Sequence, residues 1–409
     1  MRGDQTKVRF PIELGLLVAF CVFLPVAEAP KNLAWIAYGV TWLVNRVRSR
    51  DAGGRWRAWD WLALGWIGSA YLAAAFAGLD GRAWAKTGDV AVEGVLLWLV
   101  MRAGYGETEQ RWVLGALVGA TLGGLLYGYW RLWTGAAGSG TLQLYSVGHV
   151  NHTAIYIAIV LGLSVGWLIA GWRQWRIPAR VGMAAACAFM LASLVFTASR
   201  GAVGIGLAML PVLAAAWWPY WRAPLAAALA AVALVVSVAV AFDAPVVRKQ
   251  ELNEAAHNVL SFRDGIWRAG LAAWDRYPWF GVGKDNYRLI SPELVRRWRA
   301  ESGKPYDAQR YVYFPHAHNL FINTLAERGV VGFAGLAAVL VAWLATIVRD
   351  RPRARDPEIA WIAWGGAASA WMVSVGVGAV NTTLHHEHGL LAALLLGIWL
   401  QARPTPRAS

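Results

Sequence analysis

The chain is written in long apolar blocks separated by short polar or basic stretches. Each block holds roughly 20 residues, enough for a helix to cross a ~30 Å hydrocarbon layer. Twelve follow one another, at about 10–28, 31–45, 58–78, 83–101, 112–133, 151–171, 181–198, 201–218, 223–242, 319–348, 358–380 and 387–402. They are continuously apolar, not alternating, so they read as helices and not as barrel strands. The pattern predicts an all-α polytopic membrane protein with about twelve transmembrane helices and one large external loop between spans nine and ten. Its regions are 1–242 with the first nine spans, 243–318 as the loop domain, and 319–409 with the last three spans and a short internal tail. The first block lacks a convincing cleavage site and is followed at once by another, so it reads as a retained helix. At Ser199-Arg200-Gly201 two spans must turn almost immediately.

The polar stretches set an orientation, because Lys and Arg accumulate in short cytoplasmic loops. One side receives Arg2, Lys7 and Arg9, the stretch from Arg46 to Arg57, Arg102, Arg111, Arg173 to Arg180, Arg222, Arg349 to Arg355, Arg403 and Arg407. The other side's short loops hold only Lys31, Arg82, Lys86, Arg131 and Arg200, a bias of twenty against five. Both chain ends are therefore expected in the cytoplasm, and the long loop outside.

Composition agrees with this and removes other classes. With 58% hydrophobic residues, 15% charged residues and a mean hydropathy of +0.42, the chain is far from a soluble domain, which carries ~25% charge. The net charge of +14 is scattered through loops instead of forming a basic domain, so no nucleic-acid partner is implied. Cys21 and Cys187 lie inside apolar blocks and suggest neither a disulfide framework nor a thiolate metal site. Many of the 26 tryptophans flank the spans as interfacial anchors.

Candidate chemistry gathers in and around the long loop. Within it Asn258 to Trp274 has helical apolar spacing and predicts an amphipathic helix at the membrane surface, stopped by Tyr277-Pro278 and followed by a tight turn at Gly281-Val282-Gly283. A guanidinium is a planar fork of donors suited to phosphate oxygens, which makes Arg263, Arg268 and Arg288 candidates for a lipid phosphate or pyrophosphate. Arg296, Arg297, Arg299 and Arg310 read instead as headgroup contacts. Arg200 is isolated at a membrane edge, a placement that suits either function or a side chain reaching for headgroups. His316 and His318, one residue apart, would point the same way on an extended segment. With His385, His386, Glu387 and His388 they could supply zinc ligands, although that tract is crowded, not spaced for a metal site. Alternatively one histidine is a general base. No nucleophile elbow, P-loop or dinucleotide fingerprint occurs in a suitable context. External charge concentrated in one loop suits an enzyme acting on a lipid-borne substrate better than a transporter.

Three segments resemble a known family. His318-Asn319, nine residues and then Gly329-Val330-Val331-Gly332 resemble the H-N/S/Q-x9-G-x-x-G pattern of bacterial O-antigen ligases. Thr197-Ala-Ser-Arg200-Gly201 looks like the T-x-S-R-G segment of the wider ligase and polymerase superfamily, and Arg263 to Trp267 with Pro278-Trp-Phe-Gly281-Val-Gly283 looks like its R-x3-W...P-x-x-G-x-G segment. The resemblance spans Thr197 to Gly332. It implies an inverting, metal-independent glycosyltransferase of the bacterial inner membrane with a periplasmic active site and no cofactor. Such an enzyme moves a glycan from undecaprenyl pyrophosphate to lipid A-core. By matched position, His318 would be catalytic and Arg200 and Arg263 would bind the pyrophosphate. Arg268, Arg288, His316, Asn319 and His386 have no role assigned by the resemblance. The rival readings are an O-antigen or other polysaccharide polymerase, an oligosaccharyltransferase acting on proteins, and a lipid-linked glycan transporter.

Overall fold

The computed structural model describes residues 10–79, 81–136, 141–256 and 258–403. The chain ends, with Arg2, Lys7, Arg9 and Arg407, lie outside the described residues. Among those described, no residue is in a strand. The helices are α1 (Pro11–Phe23), α2 (Glu28–Ser49), α3 (Ala58–Ala75), α4 (Ala83–Met101), α5 (Glu107–Trp133), α6 (Val150–Gly171), α7 (Ile177–Phe196), α8 (Arg200–Ala215), α9 (Ala223–Ala241), α10 (Pro245–Ala255), α11 (Arg263–Arg276), α12 (Pro292–Glu301), α13 (Leu320–Arg349), α14 (Glu358–Gly376) and α15 (His386–Ala402). A helix stands at each apolar block of the sequence. Six of them, α5, α6, α7, α9, α13 and the run Glu358–Ala379, are long and apolar enough to cross a membrane.

The centre of the bundle is α6 against α14, both buried along most of their length. Small residues let the two backbones approach: a Cβ added at Gly166 would meet the Gly365 Cα at 3.2 Å. The Ser369 hydroxyl donates across the same contact to the Ile159 carbonyl at 3.1 Å. Close backbone packing through small residues is how apolar helices associate without a hydrophobic driving force between them. At the periphery α9 buries only Pro224 and is otherwise apolar outward, the composition of a helix facing lipid.

The two ends of the bundle differ in chemistry. One end is braced by buried ion pairs, Arg46 with Glu13 at 3.2 Å and Arg102 with Asp60 at 2.7 Å, and by Arg403 with Asp350. These residues belong to the basic loops that the sequence places on one side. At the other end Lys31 pairs with Glu387. Lys31 and Arg46 sit near opposite ends of α2, so the two groups of loops are separated by the length of that helix.

Between α9 and α13 the chain builds a small second core, in which Ile266, Ala269, Ala273, Tyr287, Val295 and Trp298 pack together. The expected helix over 258–274 is corrected to α11, which starts at Arg263 because Ser261 and Phe262 take left-handed backbone angles. Its buried face is the stripe of Gly265, Ile266, Ala269, Gly270, Ala272 and Ala273, while Leu271 is exposed. That stripe faces protein, and a Cβ at Gly270 would meet Ile322 of α13 and Tyr287 at 2.9 Å.

The block expected at 319–348 is not one continuous helix. At Gly329 (φ 58°, ψ −164°) α13 breaks into two helical pieces. The break releases the carbonyls of Ala326 and Glu327 and the amides of Val330 and Val331, which would otherwise pair i to i−4. Residues 278–283 satisfy all four: Val282 and Gly283 donate to Ala326 and Glu327 at 2.8 Å, and Val330 and Val331 donate to Pro278 and Trp279 at 2.8 and 3.1 Å. The segment docks so closely that a Cβ at Gly329 would lie 2.3 Å from the Trp279 carbonyl. One at Gly281, whose φ is +67°, would lie 2.4 Å from the Glu327 carbonyl carbon.

Candidate active site

A cleft of about 670 Å³ opens where the second core meets the bundle, and it brings together Arg200, Arg263 and His318. Each comes from a different structural element. Arg200 opens α8 directly after the turn at Ala198, whose φ of 54° lets α7 and α8 meet with almost no connection. Arg263 opens α11. His318 precedes Asn319, the N-cap of α13, whose side chain accepts from the amides of Phe321 and Ile322 at 2.9 and 3.0 Å and donates to the Ala379 carbonyl at 2.7 Å. Asn319 thus fixes the helix start that carries the histidine and has no part in the cleft lining.

The cleft is strongly electropositive. Lys249 of α10 joins the two arginines, and no carboxylate is among the lining residues. The N-termini of α6, α8 and α11 border it as well, adding the positive ends of three helix dipoles. A cation in the first turn of a helix opposes that dipole, so Arg200 and Arg263 stand where an anion would be stabilised. Burial and then Arg200 pull the Arg263 pKa below its ordinary value, and Lys249 is lowered by burial and by both arginines. Mutual repulsion of this kind is relieved by a bound anion. The Arg263 Nε is buried without a partner. The Arg200 guanidinium donates to Gln250 at 2.6 Å and to the Val259 carbonyl and the Ser261 hydroxyl at 2.9 Å, tying α8 to the segment that leads into α11.

The tautomer of His318 follows from its partner. The Asn381 Oδ1 accepts from the Thr382 amide at 2.9 Å, which fixes which end of that side chain is oxygen. The His318 Nδ1 lies 3.3 Å from the same oxygen and must carry the proton. Nε2 therefore holds the lone pair. Burial lowers the His318 pKa, as do Arg263 and His149, against the opposing effect of Asn381, so the ring is neutral at neutral pH. His316 packs beside it with ring centroids 4.2 Å apart, and both rings contact Phe314.

Three further sequence candidates do not line the cleft. Arg268 is exposed on a separate groove with Arg299, Lys304 and Arg310. Arg288 is exposed and paired with Asp285. His386 is exposed and belongs to a histidine group beside the cleft. Sequence reasoning missed Lys249, one of many loop cations, and Asn381, whose place opposite His318 comes only from folding. It also missed Glu327 and Arg328, buried inside the block at 319–348. Their signal was a charged pair within an apolar run. Glu327 accepts from the Asp285 amide at 3.0 Å and pairs with Lys284 at 3.4 Å, which further locks the docked segment to α13.

The described helices place a carboxylate-free cationic cleft beside a neutral histidine, an arrangement chemically suited to an anionic substrate. The O-antigen ligase family model matches residues 185–337, a stretch that contains Arg200, Lys249, Arg263, His318 and the break at Gly329. That match supports membership of the O-antigen ligase superfamily and an O-antigen ligase- or polymerase-like function. No curated protein sequence matches the chain.

Proposed function

We propose that this protein is an O-antigen ligase of the bacterial inner membrane, transferring a glycan from undecaprenyl pyrophosphate to lipid A-core at a periplasmic site. What carries the reading is the pairing, in one cleft, of Arg200, Arg263 and Lys249 without a carboxylate and a histidine whose Nε2 is free to accept a proton. The lipid tail of the donor stays in the bilayer while its pyrophosphate lies against the three cations. His318 Nε2 removes the proton from the acceptor hydroxyl, the oxygen attacks the anomeric carbon, and the bond to the pyrophosphate oxygen breaks with inversion. The leaving group gains a negative charge as it departs. Cations already in place stabilise that charge more in the transition state than in the bound donor. Guanidinium and ammonium groups supply this stabilisation, so the transfer step needs no metal. The bias of basic residues toward the opposite end of the bundle supports a cytoplasmic location for that end and a periplasmic one for the cleft.

Purified protein incubated with undecaprenyl-pyrophosphate glycan, with and without lipid A-core, tests the reading. Glycan should appear on lipid A-core, and His318→Ala should abolish transfer while donor binding and folding persist. Chain growth on the lipid carrier without lipid A-core would make the protein a polymerase instead. Full activity in His318→Ala would eliminate the base. Lysine at Arg200 or Arg263 should restore little, because the planar fork is lost.

A further inference from the structure

All seven histidines among the described residues stand at this end of the bundle, and four of them form a separate group beside the cleft. The rings of His152, His385, His386 and His388 lie with centroids between 4.3 and 5.3 Å apart. We propose that His152, His385 and His388 form a binding site for a divalent cation of the zinc type. The ion would staple α6 to α15 and hold the loop that carries Asn381 to His318.

One ring nitrogen from each of the three comes within 4.8 Å of the others. A tetrahedral ion with Zn–N bonds of ~2.0–2.1 Å needs them about 3.4 Å apart, so binding would draw the three rings together by up to about 1.4 Å. His388 is 1% exposed, and neither of its ring nitrogens has a partner in hydrogen-bonding geometry, although the backbone of Thr382 and His385 is close by. Burying an imidazole in that way is costly unless something occupies its lone pair. His385 is already oriented as a ligand: its Nε2 lies 3.0 Å from the Thr382 carbonyl, which can only accept, so Nε2 carries the proton and Nδ1 is free. Metal-bound histidines are commonly held through the other nitrogen in this manner. The residues on either side, Leu384 and His386, both take left-handed angles with φ of 53°. Such strain in side chains other than glycine persists where a site demands it.

The donor set selects the ion. Three imidazoles without a carboxylate favour zinc, copper or nickel over magnesium or calcium. The nearby Glu387 is engaged with Lys31, and His386 is the nearest further nitrogen for an open fourth position. Thr382, which orients His385, also donates its amide to Asn381, so the ion and His318 would share one short loop.

The test uses the full chain purified in detergent through a tag without histidine, stripped with a chelator and titrated with Co²⁺ alone and Zn²⁺ alone. One Co²⁺ per chain is expected, with the strong visible absorption of a tetrahedral site, displaced by Zn²⁺, and Zn²⁺ should raise the thermal midpoint. His388→Ala and His152→Ala should weaken Co²⁺ binding by roughly 100-fold or more. Should a variant fail to fold, the wild-type titration still decides. Weak binding of several ions with pale octahedral spectra would overturn the site. So would equal tight binding in wild type and both variants, which would place the ion elsewhere.

Discussion

Replacing Asn381 interrogates the tautomer of His318 more sharply than removing the histidine. In Asn381→Leu the side chain keeps its approximate volume but accepts from neither His318 Nδ1 nor the Thr382 amide. A neutral hydrogen bond contributes about 1 kcal/mol, so losing the one at 3.3 Å to His318 lowers the population of the correct tautomer and ring position about five-fold. The freed Thr382 amide loosens the loop, and the combined loss in kcat/KM should be about 10- to 50-fold. That is smaller than the ~10²–10⁴-fold expected for removing a general base. Asn381→Asp makes the opposite electrostatic change. A carboxylate beside the ring favours the imidazolium and should raise the His318 pKa.

The sign of the pH effect follows. In the wild type the His318 pKa is lowered from its ordinary value of 6.5, so the base form prevails at neutral pH and activity falls only as the pH drops below that range. In Asn381→Asp the acid limb should move to higher pH, with activity recovering in mildly alkaline buffer. Single-turnover transfer of a lipid-linked glycan, read by gel shift across this pH range, measures both effects. Wild-type kcat/KM in Asn381→Leu, or an acid limb moving downward in Asn381→Asp, would refute the hydrogen-bonded tautomer.

Gly329→Ala should cost about 4 kcal/mol, combining an angle range open almost only to glycine with overlap against the Trp279 carbonyl. Fluorescence-detected size exclusion should show loss of monodisperse protein; a normal yield and midpoint would contradict the break. Lys249→Ala should reduce kcat/KM about 10- to 100-fold, whereas Arg268→Ala and Arg288→Ala should stay within a few-fold of wild type, and inactivity in either would extend the site beyond the cleft. The thermal midpoint should fall in mild acid. His316 is held at about 4 by burial and by His318, against an ordinary 6.5, so the unfolded chain takes up its proton first and stability is lost as the pH falls through that window. His316→Asn should flatten the fall.

The helices were legible because each apolar block marked one: a helix stands at all twelve positions, and among the described residues six are long and apolar enough to cross a membrane. The break in α13 was hidden because the residues around Gly329 are apolar, and the only local warning was the charged pair Glu327-Arg328. The candidate site was legible where one residue could be aligned with a motif, as for Arg200, Arg263 and His318, which share one cleft. It was not legible where helical rotation decides. Arg268 looks equivalent to Arg263, yet five residues at ~100° each turn it about 140° around the helix, and it faces another groove. Asn381 and His152 come from elements remote from their partners in sequence, and only packing brings them near His318 and His385.

The glycine-rich segments of the family pattern make sense as architecture, since none of their glycines lines the cleft except Gly201. Gly281, Gly283 and Gly329 serve the docking of residues 278–283 into the broken helix, where four backbone groups of α13 are satisfied by another part of the chain. That exchange fuses the second core, with Arg263, to the first half of α13, with His318. The fused block is then held against the bundle through Asn319 to Ala379, His318 to Asn381, and Arg200 to the segment at 259–261. Arg200, Arg263 and His318 are therefore set by separate elements but fixed in one frame, as the proposed in-line displacement requires, since it would lose rate steeply if reacting groups drifted. A glycine distant from the cleft can for the same reason be as costly to replace as an arginine within it.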